Sequence, residues 1–163
     1  TCDIVHSAVD NAIAMVEVAG KDVVIVAGGD GGMNEFIVQP EIASFADMKG
    51  RILAVDAATT AYALLAKKIL TQNGLKDGID YVVKPVGGGT HRLRAMRTDK
   101  SHAAAILNLP FTVEAIHDGM KSLGRTDDLP PEDVERLWLE EDERRRDEIQ
   151  SGKVVHQQKD EDF

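Results

Sequence analysis

The sequence predicts an α/β fold, with a parallel-rich sheet flanked by helices. Two observations carry this expectation. Short apolar runs alternate with segments of helical spacing from Ile52 to Met120, the order that builds parallel strands joined by crossover helices. Aromatic residues make up only 4% of the 163 residues, so the core has to be assembled from Val, Ile, Leu and Ala, the residues that fill strands buried on both faces.

Taken in order, Asp3-Ile4-Val5-His6 reads as a short strand. Residues 8–19 have helical spacing, with Ala8, Ala12, Met15, Val16 and Ala19 on one face and Gly20 as the stop. Val23 to Ala27 is a continuous apolar run of the kind buried on both faces of a sheet, broken by Gly28-Gly29-Asp30-Gly31-Gly32. Phe36-Ile37-Val38 is the next strand and stops at Pro40. Ile52-Leu53-Ala54-Val55 is a strand, and Thr59 to Asn73 a helix with Gly74 just past its end. Tyr81-Val82-Val83 is a strand, His91 to Arg97 a short helix, Ala103 to Leu107 a buried strand and Val113 to Met120 a helix. After Arg125 the character changes. Leu129-Pro130-Pro131 stops what precedes it, and Pro131 suits the first turn of a helix running from Glu132 to Ile149. Glu140 with Arg144, Glu141 with Arg145 and Asp142 with Arg146 support that helix as i,i+4 pairs. Residues 151–163 are polar and aperiodic, and disorder is expected there.

The net charge of −9 is unevenly placed. Residues 1–126 hold 14 acidic and 13 basic side chains, whereas residues 127–163 hold 14 acidic and 6 basic, so a nearly neutral body precedes an acidic tail. This balance argues against nucleic-acid binding, which needs clustered Lys and Arg to neutralise phosphates. Cys2 is the only cysteine, so neither an intrachain disulfide nor a cysteine-based zinc site is expected. No apolar run reaches the roughly 18 residues of a membrane span, and no secretory signal is present. The chain opens on Thr1, which reads as processing or truncation.

Two loops suit ligand binding. Asp56-Ala57-Ala58-Thr59-Thr60 lies where a strand turns into a helix, so unpaired backbone N–H groups, a positive helix end and two hydroxyls meet an approach kept open by small residues. The same residues also read as a plain helix cap. Val86-Gly87-Gly88-Gly89-Thr90 is the second loop, where glycines admit a close backbone approach and His91, Arg92 and Arg94 add positive charge, or where the chain is simply flexible. Both follow the carboxyl ends of expected parallel strands, where open α/β sheets hold their ligands. Gly28 to Gly32 does not fit a nucleotide loop, because its spacing matches neither phosphate-binding pattern and a strand follows it. His6, His91, His102, His117 and His156 show no metal spacing, and no nucleophile elbow exists. Asp3, Asp10 and Asp56 are explained by capping or ligand hydrogen bonding more cheaply than by acid–base pairing. No catalytic residues and no cofactor are expected, and the chain reads as a non-enzyme.

Several segments carry a family likeness. Asp3-Ile4-Val5-His6-Ser7-Ala8-Val9-Asp10-Asn11, Phe45-Ala46-Asp47-Met48-Lys49-Gly50-Arg51-Ile52-Leu53-Ala54-Val55-Asp56, Thr59-Thr60-Ala61-Tyr62-Ala63-Leu64-Leu65 and Ala104-Ala105-Ile106-Leu107-Asn108-Leu109-Pro110-Phe111 occur in order. Together they resemble the SsuA/THI5-like (NMT1-like) substrate-binding proteins of ABC importers, in the type II periplasmic-binding-protein superfamily. The resemblance implies two α/β lobes joined by crossing strands, with the ligand between them. On this chain it places 1–36 and 108–126 in a partial first lobe, 37–107 in the second, and crossing strands near Phe36-Ile37-Val38 and Ile106-Leu107-Asn108. It implies ligand-binding roles for Asp10, Asn11, Thr59, Thr60, Gly87, Gly88 and Asn108. Family members run to about twice this length. Position 102, often Asp in the family, is His102.

The implied function is solute binding for an importer, with a sulfonate, nitrate or thiamine precursor as ligand, transporter membrane subunits as partners, no insertion into the membrane itself, and a periplasmic or exported location. The tail, 127–163, weakly resembles the end of small addiction-module antitoxins through Glu135-Arg136-Leu137-Trp138 and Glu143-Arg144-Arg145-Arg146. The alternative is a protein-interaction module or a remnant, in which an exposed half-lobe and the acidic helix bind another chain.

Overall fold

A computed structural model describes residues 3–7, 9–28, 34–128 and 151. The chain divides into two units, Thr1–Leu129 and Pro130–Phe163. The second contains the expected charged helix and polar end, which lie outside the described residues except for Ser151.

The first unit opens with helix α1 (Val9–Glu17). Then come strand β1 (Glu35–Val38), a 3-10 turn at Phe45–Met48, β2 (Arg51–Val55), α2 (Ala61–Gln72), β3 (Tyr81–Pro85), α3 (Gly89–Thr98), β4 (His102–Leu107), α4 (Phe111–His117) and β5 (Lys121–Arg125). The five strands form one mixed sheet in the order β3-β2-β4-β1-β5. β2 pairs in parallel with β3 and with β4, while β1 runs antiparallel to both its neighbours, β4 and β5. Phe36 lies opposite Ile106 and Glu35 opposite Leu107, so the two segments expected as crossing strands are neighbours in register.

Strand alternation divides the core into two layers. Ile37, Ala54, Ala105 and Leu107 point to one face, where Leu93 and Met96 of α3, Ala115 of α4 and Met120 pack on them. Phe36, Val38, Leu53, Val55, Ala104 and Ile106 are buried on the other, the side assigned to α2 with its buried Ala63, Ala66, Ile69 and Leu70. The handedness of the crossovers explains the split. The passage from β2 through α2 to β3 moves one way along the sheet, and that from β3 through α3 to β4 moves back, so right-handed connections put the two helices on opposite faces. Each fully buried Leu or Ile contributes about 1.5–3 kcal/mol, and no large aromatic layer is needed. Phe36 meets Phe45 of the 3-10 turn edge to face, with ring centroids 5.3 Å apart.

Two expectations differ from the structure. Residues 3–6 and 23–27 are not strands. A strand satisfies its backbone groups in a ladder, and neither segment has a partner among the described residues. Val24, Ile25 and Val26 are 78%, 60% and 79% exposed. Residues 108–126 supply α4 and, in β5, an edge strand of the sheet. β5, Lys-Ser-Leu-Gly-Arg, has no apolar run because it is an edge strand whose side chains are exposed or only half-buried.

Candidate ligand-binding site

β2, β3 and β4 are parallel, so their carboxyl ends lie along one edge of the sheet. α2 and α4 leave the ends of the adjacent strands β2 and β4 toward opposite faces, the arrangement that opens a crevice in α/β sheets.

At the end of β2, Thr60 is the N-cap of α2. Its hydroxyl accepts from the Ala63 N–H at 3.3 Å and lies 2.5 Å from Asp56 Oδ1, to which it donates. Thr60 Oγ1 is also 3.2 Å from the Ala57 carbonyl, and Lys67 Nζ donates to the Ala58 carbonyl at 3.3 Å. The loop between Asp56 and Thr60 is thereby pinned at both ends. At the end of β3, Val86 N–H donates to the Val55 carbonyl at 2.8 Å, which holds the second loop beside the first. Gly87 takes φ +99°, a backbone state that side chains disfavour, and Gly88 is the N-cap of α3. At the end of β4, the Asn108 carbonyl accepts from Thr112 N–H at 3.1 Å and starts α4. The starts of α3 and α4 are in close contact, because a Cβ on Gly89 would lie 2.5 Å from the Phe111 ring.

Arg92, in the first turn of α3, ties these loops together. It is only 3% exposed. Nη1 is 3.3 Å from Asp56 Oδ1, and the guanidinium carbon lies 5.0 Å from the centre of the Tyr62 ring. The contact with Asp56 is an ion pair without hydrogen-bond alignment, so Nε and Nη1 have no hydrogen-bond acceptor among the described residues. Burial pulls the guanidinium below its ordinary value, while Asp56 and Tyr62 push the other way. Buried, charged N–H groups without acceptors are costly, and an anionic oxygen would relieve them.

Of the residues singled out from sequence, Thr60, Gly87, Gly88 and Asn108 stand at this edge, together with the exposed Thr59. Asp10 and Asn11 are on α1 instead. Asn11 donates from Nδ2 to Ser7 Oγ at 2.8 Å, and the side chain of Asp10 lies outside the description. Arg92 was readable only as positive charge. The sharper signal is its position four residues before Met96 and beside Leu93, which puts a cation on the buried face of α3. Among the described residues no three His, Cys, Asp or Glu side chains are grouped to hold a metal ion. No described helix is long and apolar enough to cross a membrane.

The described part of the first unit is thus an α/β domain with a mixed five-stranded sheet flanked by helices. No family model matches the chain, and no curated protein does. A solved structure from Bordetella bronchiseptica RB50 is similar, with 22% identity over 65% of this chain and a TM-score of 0.52. The match covers 34% of that chain, so the present chain spans about a third of its length. At this identity the likeness concerns the fold alone.

Proposed function

We propose that this chain is the solute-binding component of an ABC-type importer, or a piece of one, and that it holds a small anionic or heteroaromatic ligand at the carboxyl edge of its sheet. The observation that carries the reading is Arg92, a buried guanidinium with unmatched N–H groups set between the N-termini of α2 and α3. The adjacency of β1 and β4 supports it too, since a lobe joined to another by two crossing strands needs an entering and a leaving strand side by side. The type II periplasmic-binding-protein lobe is the fold proposed, with Thr59, Thr60, Gly87, Gly88 and Asn108 near the ligand and Asp10 and Asn11 approaching from the first lobe. No catalysis is proposed. A periplasmic or exported location and transporter membrane subunits as partners follow from the same reading.

A thermal melt of the full chain against sulfonates, nitrate, carboxylates and pyrimidines tests this. A ligand that binds only the native state, present at about 100 times its dissociation constant, stabilises by roughly 2.7 kcal/mol. That is a shift of several degrees for a domain of this size. A cooperative melt indifferent to every compound removes the reading. The exposed Val24-Ile25-Val26 run favours a second one, a protein-interaction module. An obligate oligomer without ligand response would select it.

A further inference from the structure

The edge site offers more than donors. The N-termini of α2 and α3 each contribute about half a positive charge, and Arg92 adds one. Asp56 subtracts one, and it stands inside the donor cluster: its Oδ1 takes the Thr60 hydroxyl at 2.5 Å and lies 3.3 Å from Arg92 Nη1. The side chain of Asp56 remains 23% exposed, and its contacts with Thr60 and Arg92 are both made through Oδ1. A carboxylate has about four lone-pair positions, so the exposed part of this one can accept from a donor on a ligand. An anion without a proton to offer would bring its oxygens against this carboxylate. A ligand with an O–H or N–H beside its anionic group turns the same contact into a charge-assisted hydrogen bond.

We infer, on the basis of the solute-binding reading above, that the ligand carries a hydrogen-bond donor next to a single anionic group, and that Asp56 selects for that donor. The net positive charge of the site, about one unit, matches one negative charge on the ligand. Arg92 and the helix N-termini receive the anion, and Asp56 reads the neighbouring group. Asp56 thus acts as a specificity-determining residue.

Calorimetric titration of the full chain with two matched pairs of probes tests this: acetate against hydroxyacetate, and ethanesulfonate against 2-hydroxyethanesulfonate. The hydroxylated member of each pair should bind about tenfold more tightly or better, the worth of one hydrogen bond to a charged group. In Asp56→Asn the ratio should shrink, because the donor-free members gain once the carboxylate charge is gone. The wild-type ratio decides the matter even where the variant folds poorly. Equal affinity within both pairs, binding of donor-free nitrate alone, or an unchanged ratio in a folded Asp56→Asn overturns this inference and leaves the solute-binding reading in place. Silence toward these anions and toward the whole panel of the preceding section removes both.

Discussion

Arg92 is the side chain on which the proposed ligand binding rests. Its stem is buried on the sheet-facing side of α3, while its head is neutralised by Asp56 and lies over Tyr62. Arg92→Met keeps the apolar stem and removes the cation. Asp56 loses its cation but keeps the Thr60 hydroxyl and is 23% exposed, so the change should destabilise by about 1–3 kcal/mol, short of the loss for a fully buried pair. The thermal response to anions should disappear, and a full response in Arg92→Met would show that the anchor lies elsewhere. Thr60→Ala removes a helix cap and should cost about 1 kcal/mol, read from the urea midpoint. Asp47 is a separate case, in the 3-10 turn before β2. Its Oδ2 accepts from the N–H groups of Ala43 and Ser44 and from the Ser44 hydroxyl, and these bonds hold its carboxyl below the ordinary value of 3.8. A lowered folded value means that the stabilisation is complete above about pH 4 and is lost as pH falls through the folded value. The protection of the Ser44 amide should follow that course in acid, and Asp47→Asn should remove the acid dependence.

At the scale of elements, contact between helix starts matters more than helix length. Gly89 opens α3 where Phe111 opens α4, and no Cβ fits between them. Gly89→Ala should therefore destabilise by about 1–3 kcal/mol, the usual cost of overpacking. Adding Phe111→Leu to the same chain should return part of that loss, and strictly additive effects in urea unfolding would rule the contact out as the cause. These elements also show what can be read from a chain. β2, β3 and β4 with α2 and α3 were legible because buried runs and helical spacing are local signals. β5 was not, since an edge strand of Lys, Ser, Leu, Gly and Arg has no pattern of its own and forms only because β1 offers a ladder. Val23 to Ala27 failed in the opposite direction: the composition of a buried strand does not supply its neighbour. The positions of both loops, after β2 and β3, were legible from their glycines and threonines. The pairing of Arg92 with Asp56 was not, because it joins residues brought together only by the crossover from β2 to α3.

For the whole molecule, stability is expected to sit in the sheet. The core residues run from Phe36 to Met120, and the unit boundary falls between Leu129 and Pro130. A chain ending at Leu129 should melt cooperatively, with a midpoint close to that of the full chain. Loss of the transition would place residues beyond 129 in the folding unit. Amide exchange should divide the first unit in the same way. Residues 22–27 make no backbone hydrogen bond among the described residues and should exchange at the rate of an open chain. β4, buried along all six residues, should exchange only on global unfolding.

The register at Glu35 has a consequence for how such a sheet can be handled. Glu35, the first residue of β1, sits opposite Leu107 on one side and Arg125, the last residue of β5, on the other. The stretch from Glu35 to Arg125 thus begins and ends on adjacent strands, about 5 Å apart. A segment with ends this close is a portable cassette: it can be spliced into a surface loop of a host protein without stretching it, or circularly permuted by joining its ends through a short turn.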